Sequence, residues 1–209
     1  MSALHYHVID SLQDDYLEAF LDRFQDDFPA NEQVHVSYFI RRLKKKEQDR
    51  TLGPTLLCAL EGESGPLVGM ACYDIQPDCR TAILWYIAIA PEKRNMGLGS
   101  ELYQEIVRRV QAQSPFLQFL VYEVERPDQA HTSEAADIAQ RRIEFYRLQG
   151  AKICTNLIYW QQVRNEPRIM MYLLVDNLRQ EEPDTNSVLE TLRKLFGQSI
   201  EPMETLILE

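Results

Sequence analysis

The sequence predicts a mixed α/β protein, of the α+β type, with a central sheet of about six or seven strands flanked by helices. Three consecutive apolar runs, rich in β-branched and aromatic residues, lie between short turn signals: "TLLCALE", "PLVGMACYDIQ" and "TAILWYIAIA". Such runs indicate an antiparallel meander. A strand, a helix and a strand then follow one another over residues 81–125, which indicates a parallel pair with a right-handed crossover.

The region before the meander predicts one strand and two helices. Residues 3–10 form the expected first strand, and Ser11 is the expected cap of a helix with apolar residues from Leu12 to Phe24 at helical spacing. A second helix is expected after "FPAN", with four apolar residues on one face: Val36, Phe39, Ile40 and Leu43. Both helices therefore have a face that can cover the sheet.

The region after the meander predicts the rest of the sheet and three helices. The expected elements are a helix that follows "RNMGLGS" and ends before Pro115, a strand in 116–125, a helix from Ser133 to Gly150, and strands in 151–161 and 168–175, with "RNEP" as their turn. Residues 1–178 are expected to form one domain. Residues 179–209 are expected to form an extension, with a linker and an amphipathic helix at 187–197 that docks on its own domain or on a second subunit, as in a homodimer.

Composition limits the classes of function. The chain has 209 residues and a formal net charge of -10, which argues against bulk binding of nucleic acid and favours a neutral or cationic partner. No apolar stretch reaches the ~18 residues of a membrane span, and "MSALHYHVID" lacks the pattern of a signal peptide. The four cysteines form no CxxC pair. We therefore expect a cytoplasmic protein with reduced thiols, no metal and no membrane partner.

The segment "RNMGLGS", residues 94–100, is the strongest candidate for a binding site. It lies between a predicted strand and a predicted helix. The first amides of a helix have no partners within the helix, and the helix dipole places partial positive charge there. Gly97 and Gly99 remove side chains, so the backbone can approach a phosphate, and Arg94 adds a cation. The pattern predicts an anion site.

Two common phosphate motifs fit this segment poorly. A P-loop requires GxxxxGK[ST], and no lysine follows these glycines. A dinucleotide fingerprint requires GxGxxG and a later acid; Glu123 could serve as the acid, but Leu102 stands where the third glycine belongs. The meander upstream is also unlike a fold that opens with this unit. A dinucleotide-dependent oxidoreductase is therefore the weakest alternative.

A third motif, R/Q-x-x-G-x-G/A, matches residues 94–99 in full. With "LWYIAIAP" before it, the segment resembles the coenzyme A loop of the GCN5-related N-acetyltransferase (GNAT) superfamily. The later segment "IEFYRLQGAKI" resembles that superfamily's helix with F-Y-x-x-x-G and the strand after it. The order of predicted elements over roughly residues 3–176 is similar as well. An ordinary strand-to-helix turn is the alternative for the loop alone.

The resemblance implies a place for acetyl-CoA, which is the cofactor expected here as a cosubstrate. The backbone of the fourth strand would pair with the pantetheine arm, at Ile87, Ala88 and Ile89. The pyrophosphate would lie on the loop, and the residues implied are Arg94, Asn95, Met96, Gly97, Leu98, Gly99 and Ser100. An amide of the fourth strand would also polarise the thioester carbonyl.

The resemblance also implies catalytic roles. Tyr146 matches the tyrosine that often protonates the leaving thiolate, and a phenol is protonated at neutral pH. The base is less defined, because Trp85 stands where many members carry a glutamate. Glu123 and Glu125, on one face of the fifth strand, are the candidate bases, with Asp74 as a third. A core tyrosine and solvated carboxylates are the structural alternatives for these residues.

The expected function is that of an acyl-CoA-dependent N-acyltransferase, with direct attack of a primary amine on acetyl-CoA. The acceptor would be a small-molecule amine or a peptide amine. The alternative is a non-catalytic coenzyme A-binding or protein-interaction module on the same fold. Two departures from the family pattern favour that alternative: Trp85, and Ala139 where an asparagine is common.

Overall fold

The computed structural model describes residues 4–49, 53–163, 166–179 and 183–209. In this part of the chain there are eight strands and five α-helices. The strands are β1 (Leu4–Ile9), β2 (Thr55–Glu61), β3 (Leu67–Gln76), β4 (Thr81–Ile89), β5 (Phe119–Glu125), β6 (Lys152–Ile153), β7 (Tyr159–Gln161) and β8 (Ile169–Asn177). The helices are α1 (Leu17–Asp27), α2 (Val36–Gln48), α3 (Leu98–Gln113), α4 (Ser133–Leu148) and α5 (Thr185–Phe196). The predicted α+β class is confirmed.

Two compact units make up the chain. The first contains the residues up to Asp74 together with Leu84–Ile106. The second contains Ile75–Ile83 and Val107–Glu209. The boundary therefore passes through β4 and α3, and each unit is described by itself.

The first unit follows the predicted meander. Its strands lie in the order β1-β2-β3-β4, and β2 pairs antiparallel with both β1 and β3. Helices α1 and α2 cover one face through an aromatic cluster, in which Phe24 makes edge-to-face contacts with Phe39 and Tyr86. The Tyr86 hydroxyl donates to the carbonyl of Glu32 over 2.8 Å. This cluster joins the chain between the two helices to β4.

The second unit is built around β8. This strand pairs antiparallel with β5, and also with β6 and β7. In the strand order the start of β4, Thr81–Ile83, stands next to β5. The core beneath β5 and β8 is closed by apolar residues of α5: Val188, Leu189 and Leu192. The amphipathic stripe of this helix therefore packs within its own unit.

The last residues extend the edge of the second unit. The amide of Ile153 donates to the carbonyl of Glu209 over 2.8 Å, and the amide of Glu209 donates back over 3.1 Å. Cys154 and Leu208 form an antiparallel bridge. The tail thus pairs with β6 on the side away from β8, which satisfies the edge hydrogen bonds. Residues 180–182 of the expected linker lie outside the described part.

Two predicted elements are wrong in detail. Ser11 does not cap α1, because the Asp14 side chain accepts the amide of Tyr16 and forms a local turn, and the helix starts only at Leu17. The strand predicted over 151–161 is split into β6 and β7, which is why the sheet has eight strands. Asn156 causes the split, since its side chain bonds the carbonyl of Thr205 and the amide of Ile207 in a turn. Residues 3, 164 and 165, in the predicted first strand and last turn, lie outside the described part.

Candidate functional site

The loop between β4 and α3 has the backbone of an anion cradle. Asn95 and Gly97 are both left-handed, with φ of 62° and 83°. The amide of Glu101 donates to the carbonyl of Gly97 over 3.1 Å, which is the first bond of the α3 ladder. The backbone amides at the start of a helix point outward along its axis, which is where an anion can be bound. The 16-residue length of α3 gives its N-terminus a full helix dipole.

Gly97 has open space in front of it. A Cβ atom built on this residue would meet no atom of the described residues within 4 Å, its two chain neighbours aside. A side chain there would stand in that space, and its φ of 83° would be strained. The glycine therefore serves both the turn and close approach to the backbone.

Arg94 is held in place by two contacts inside the first unit. Its Nε donates to the carbonyl of Ile89 over 3.0 Å, and an Nη donates to Asp27 Oδ1 over 2.9 Å. The side chain of Arg94 is 52% exposed, whereas that of Asp27 is 4% exposed. The arginine predicted to add a cation to the loop is therefore a fixed cation, with an anchor that lies 67 residues earlier in the chain.

The end of β4 lies against β3 at a glycine. A Cβ on Gly69 would come within 2.6 Å of Ile89 Cδ1 and 3.2 Å of the Ala88 carbonyl oxygen, so a larger residue there would require the Ile89 side chain to shift. Ile87 and Ala88 are half-buried, and Ile89 is buried. Trp85 is 39% exposed and offers no proton acceptor, so it cannot act as the base. These residues fix the strand segment expected to pair with pantetheine.

Glu123 is bonded on both carboxylate oxygens in the second unit. It accepts hydrogen bonds from the Tyr159 hydroxyl and from Gln161 Nε2, and both donors come from β7. Burial raises the pKa of Glu123 above its usual value, and the two hydrogen bonds only partly offset that rise. A carboxylate whose pKa is raised is a stronger base than an ordinary carboxylate and suits a general base.

Glu125 has a different partner. Its carboxylate forms an ion pair with Arg142 of α4, and the two side chains are partly exposed. The two candidate bases thus have different surroundings: Glu123 is half-buried and bonded by two neutral donors, whereas Glu125 is paired with a cation.

Tyr146 is buried on α4 and stacks on Tyr122, with ring centroids 4.1 Å apart. Burial raises the pKa of its hydroxyl, Arg142 lowers it, and Glu125 raises it. The phenol is therefore firmly protonated at neutral pH but is a weaker acid than usual. Neighbouring residues of a strand point to opposite faces of the sheet. Tyr146 contacts Tyr122, so it lies on the face of β5 opposite the one to which the next residue, Glu123, points.

Several residues of these surroundings were missed by the sequence analysis as parts of a site. They are Asp27, Gly69, Arg142, Tyr159 and Gln161. Each acts through a contact with a residue at least 17 positions away, which no local pattern encodes. Asp27 alone carried a local signal, as an acid in the last turn of a helix.

The described residues contain neither a candidate metal site nor a helix suited to cross a membrane. No group of three or more His, Cys, Asp or Glu side chains in this part of the chain could hold a metal ion. None of the described helices combines the length and the apolar character that a membrane crossing requires.

Comparisons with known proteins support the resemblance. The model of the acetyltransferase (GNAT) family matches residues 8–132, which is more than half of the chain. No curated protein matches the chain at a significant level.

Solved structures with a similar fold have low sequence identity to this chain. A GNAT-family protein from Bacteroides thetaiotaomicron is 21% identical, with a TM-score of 0.62, over 92% of this chain and 98% of the other. A GNAT superfamily phosphinothricin acetyltransferase from Sinorhizobium meliloti, in complex with acetyl-CoA, is 15% identical, with a TM-score of 0.59, over 88% and 94%. A Salmonella typhimurium protein with its cofactor acetyl-CoA is 15% identical, with a TM-score of 0.57, over 88% and 99%.

Proposed function

The chain belongs to the GNAT acetyltransferase family, and we propose that it transfers the acetyl group of acetyl-CoA to a primary amine by direct attack. The observation that carries this proposal is the loop of residues 94–100. It joins two left-handed residues, an open glycine and the N-terminus of a long helix. Two structures of similar fold are complexes with acetyl-CoA, which supports the same donor for this chain.

The loop fits the pyrophosphate of coenzyme A. The loop leads into the N-terminus of α3, whose first backbone hydrogen bond joins Glu101 to Gly97. An anion at a helix N-terminus is stabilised by hydrogen bonds from backbone amides and by the helix dipole. Arg94, held by Asp27 and the Ile89 carbonyl, keeps part of its guanidinium exposed for a phosphate oxygen. Residues 87–89 would pair with the pantetheine arm, and acetyl-CoA supplies the activated acetyl group.

Glu123 is the residue that we assign as proton acceptor. The ammonium first loses one proton, which passes through water to Glu123. The free amine then forms a bond to the acetyl carbon, the carbon–sulfur bond breaks, and the nitrogen gives its second proton to solvent. The raised pKa of Glu123 makes it a better base than an ordinary carboxylate, and its neutral donors do not bind the charge as Arg142 binds Glu125.

Tyr146 is assigned to the leaving thiolate. Since burial raises the pKa of its hydroxyl, the phenol suits a donor that gives a hydrogen bond to the sulfur anion better than one that gives up its proton completely. The thiolate then takes its proton from solvent. This role needs the hydroxyl but no change in the charge of Tyr146.

The net charge of -10 favours a cationic acceptor, so we propose an amine that is protonated in solution. The test is incubation of the chain with acetyl-CoA and a panel of primary amines, with release of the coenzyme A thiol and mass of the product as readouts. Sustained release that depends on one amine, with a product heavier by one acetyl group, supports the proposal. Binding of acetyl-CoA without transfer to any amine would instead support the non-catalytic module, which Trp85 and Ala139 favour.

A further inference from the structure

Asp27 is a charged side chain in an almost fully covered position. Its side chain is 4% exposed, and it is the last residue of α1. Burial of a carboxylate is costly unless it is paired, and here two arginines pair with it. Arg23 Nη1 lies 3.3 Å from one carboxylate oxygen, and an Nη of Arg94 lies 2.9 Å from the other.

The position of Asp27 is unfavourable for α1 itself. The C-terminus of a helix carries partial negative charge, and α1 ends with Asp26 and Asp27 and has no basic residue in its last turn. A carboxylate there therefore lowers the stability of the isolated helix. Two contacts offset this cost: one with Arg23, one turn earlier on the same helix, and one with Arg94, which lies in a loop distant in sequence.

Arg94 meets Asp27 at the point where the loop begins. Its Nε is bonded to the carbonyl of Ile89, the last residue of β4, and the left-handed Asn95 follows directly. A guanidinium has five N–H donors, so these two bonds leave three for a ligand. The two arginines outnumber the one carboxylate, and the cluster keeps a net positive charge.

We propose that Asp27 is a positioning residue, which holds the Arg94 guanidinium so that the loop is shaped to receive a pyrophosphate before the ligand arrives. This inference rests on the proposed function. An arginine loses much rotamer freedom when a ligand fixes it, and a contact that fixes it beforehand raises affinity. If Asp27 only neutralised Arg94, its removal would instead tighten the binding of an anion.

Calorimetric titration with acetyl-CoA and with dephospho-coenzyme A tests this role. The variant Asp27→Asn should bind both ligands about tenfold more weakly, because both contain the pyrophosphate. Asp26→Asn is the matched control, since it removes the same charge from the exposed neighbouring residue, and it should bind like the wild type. Thermal unfolding of each variant reports whether the fold is kept.

The decisive readout is non-additivity with Arg94. In an Arg94→Gln background, Asp27→Asn should cost less than a further twofold, because its effect passes through Arg94. A general structural defect would persist in that background, and would overturn the proposal. So would an Asp27→Asn variant that binds like Asp26→Asn or more tightly than the wild type.

A second variant keeps the proposal testable if Asp27→Asn does not fold. Arg94→Lys keeps the charge, but a single nitrogen cannot reproduce the planar fork that bonds Ile89 and Asp27, so about a tenfold loss is expected. Wild-type affinity in Arg94→Lys would overturn the proposal. Failure of the wild-type chain to bind acetyl-CoA would overturn the proposed function as well. If the wild type binds acetyl-CoA and the variants bind it equally tightly, only the role of Asp27 is overturned.

Discussion

Residues 94–100 of the first unit and Glu123 of the second unit are surrounded very differently. The loop is partly exposed, with an open glycine and with amides that precede the ladder of α3. Glu123 is half-buried, and both of its oxygens already accept hydrogen bonds from β7. The loop is thus prepared for a ligand that brings negative charge. The carboxylate is prepared to take a proton.

This difference between the loop and Glu123 indicates which functional groups can be predicted from sequence. The left-handed residues that turn the backbone of the loop are adjacent in the chain, whereas the hydrogen bonds that surround Glu123 come from residues 36 and 38 positions away. Substitutions in the two regions should accordingly have different signatures: loss of ligand binding in the first, and loss of turnover or a changed pH dependence in the second.

The largest effect is expected at Gly97. Gly97→Val forces a β-branched residue into a left-handed conformation and fills the open side of the loop, so binding of acetyl-CoA should become undetectable by calorimetry. Gly197→Val is the matched control, because Gly197 also has positive φ and open space around it. Both variants should lose roughly 1–3 kcal/mol of stability, because each places a side chain at positive φ, but only Gly97→Val should lose the ligand. Tight binding by Gly97→Val would contradict the assignment of the loop.

Glu123→Gln should lower kcat by between about 10² and 10³ with little change in acetyl-CoA affinity, because it removes the base. Steady-state kinetics with the amine found in the panel measure this. Glu125→Gln should lose less than about tenfold, since its carboxylate is paired with Arg142. A larger loss in Glu125→Gln than in Glu123→Gln would transfer the role of base to Glu125.

Glu123→Gln should also alter how the stability of the protein depends on pH. The raised pKa of Glu123 means that the folded protein binds this proton more tightly than the unfolded chain. Stability is therefore lost as the pH rises through that pKa, and is restored in acid. Glu123→Gln should be more stable than the wild type at neutral pH, and the difference should vanish in acid. Denaturant unfolding at the two pH values checks this, and the opposite sign would show that the hydrogen bonds outweigh burial.

Tyr146→Phe should lower kcat by about 10² through the loss of a hydrogen-bond donor to the thiolate. Its ring can keep the stacking contact with Tyr122, so the thermal midpoint should change little. Tyr122→Phe removes the other hydroxyl of the same stacked pair and should keep nearly full turnover. Equal losses in the two variants would indicate a packing role for Tyr146 instead.

The smallest effect is expected at Tyr159, where the change is in pH dependence. The Tyr159 hydroxyl lowers the pKa of Glu123, so Tyr159→Phe should raise that pKa further and move the acid limb of kcat to higher pH. The limiting rate should change only several-fold. Tyr172→Phe, on the adjacent strand β8, should leave the profile in place. An acid limb that moves to lower pH in Tyr159→Phe would rule out Glu123 as the base.

Much of the fold could be predicted from local pattern. The meander of β2, β3 and β4 is bounded by turn residues, and α2 and α4 have regular apolar faces. The start of α1 and the break between β6 and β7 could not be predicted in this way. Both depend on side chains, of Asp14 and Asn156, that bond the backbone in place of regular structure.

The candidate site shows the same limit. Gly97 and Tyr146 belong to motifs of a few consecutive residues, so their positions were evident. The burial of Tyr146, the ion pair of Glu125 and the anchoring of Arg94 by Asp27 depend on tertiary contacts and became visible only in the structure. The roles assigned to these residues stay predictions.

The most direct test of the account is calorimetric titration of the wild-type chain with acetyl-CoA, with NAD as the control ligand. We expect saturable binding of acetyl-CoA with one site per chain and no heat from NAD, because the loop of residues 94–100 has the coenzyme A motif and lacks the third glycine of a dinucleotide site. Absence of acetyl-CoA binding, or binding of NAD in its place, would contradict the claim that this loop holds the pyrophosphate of coenzyme A.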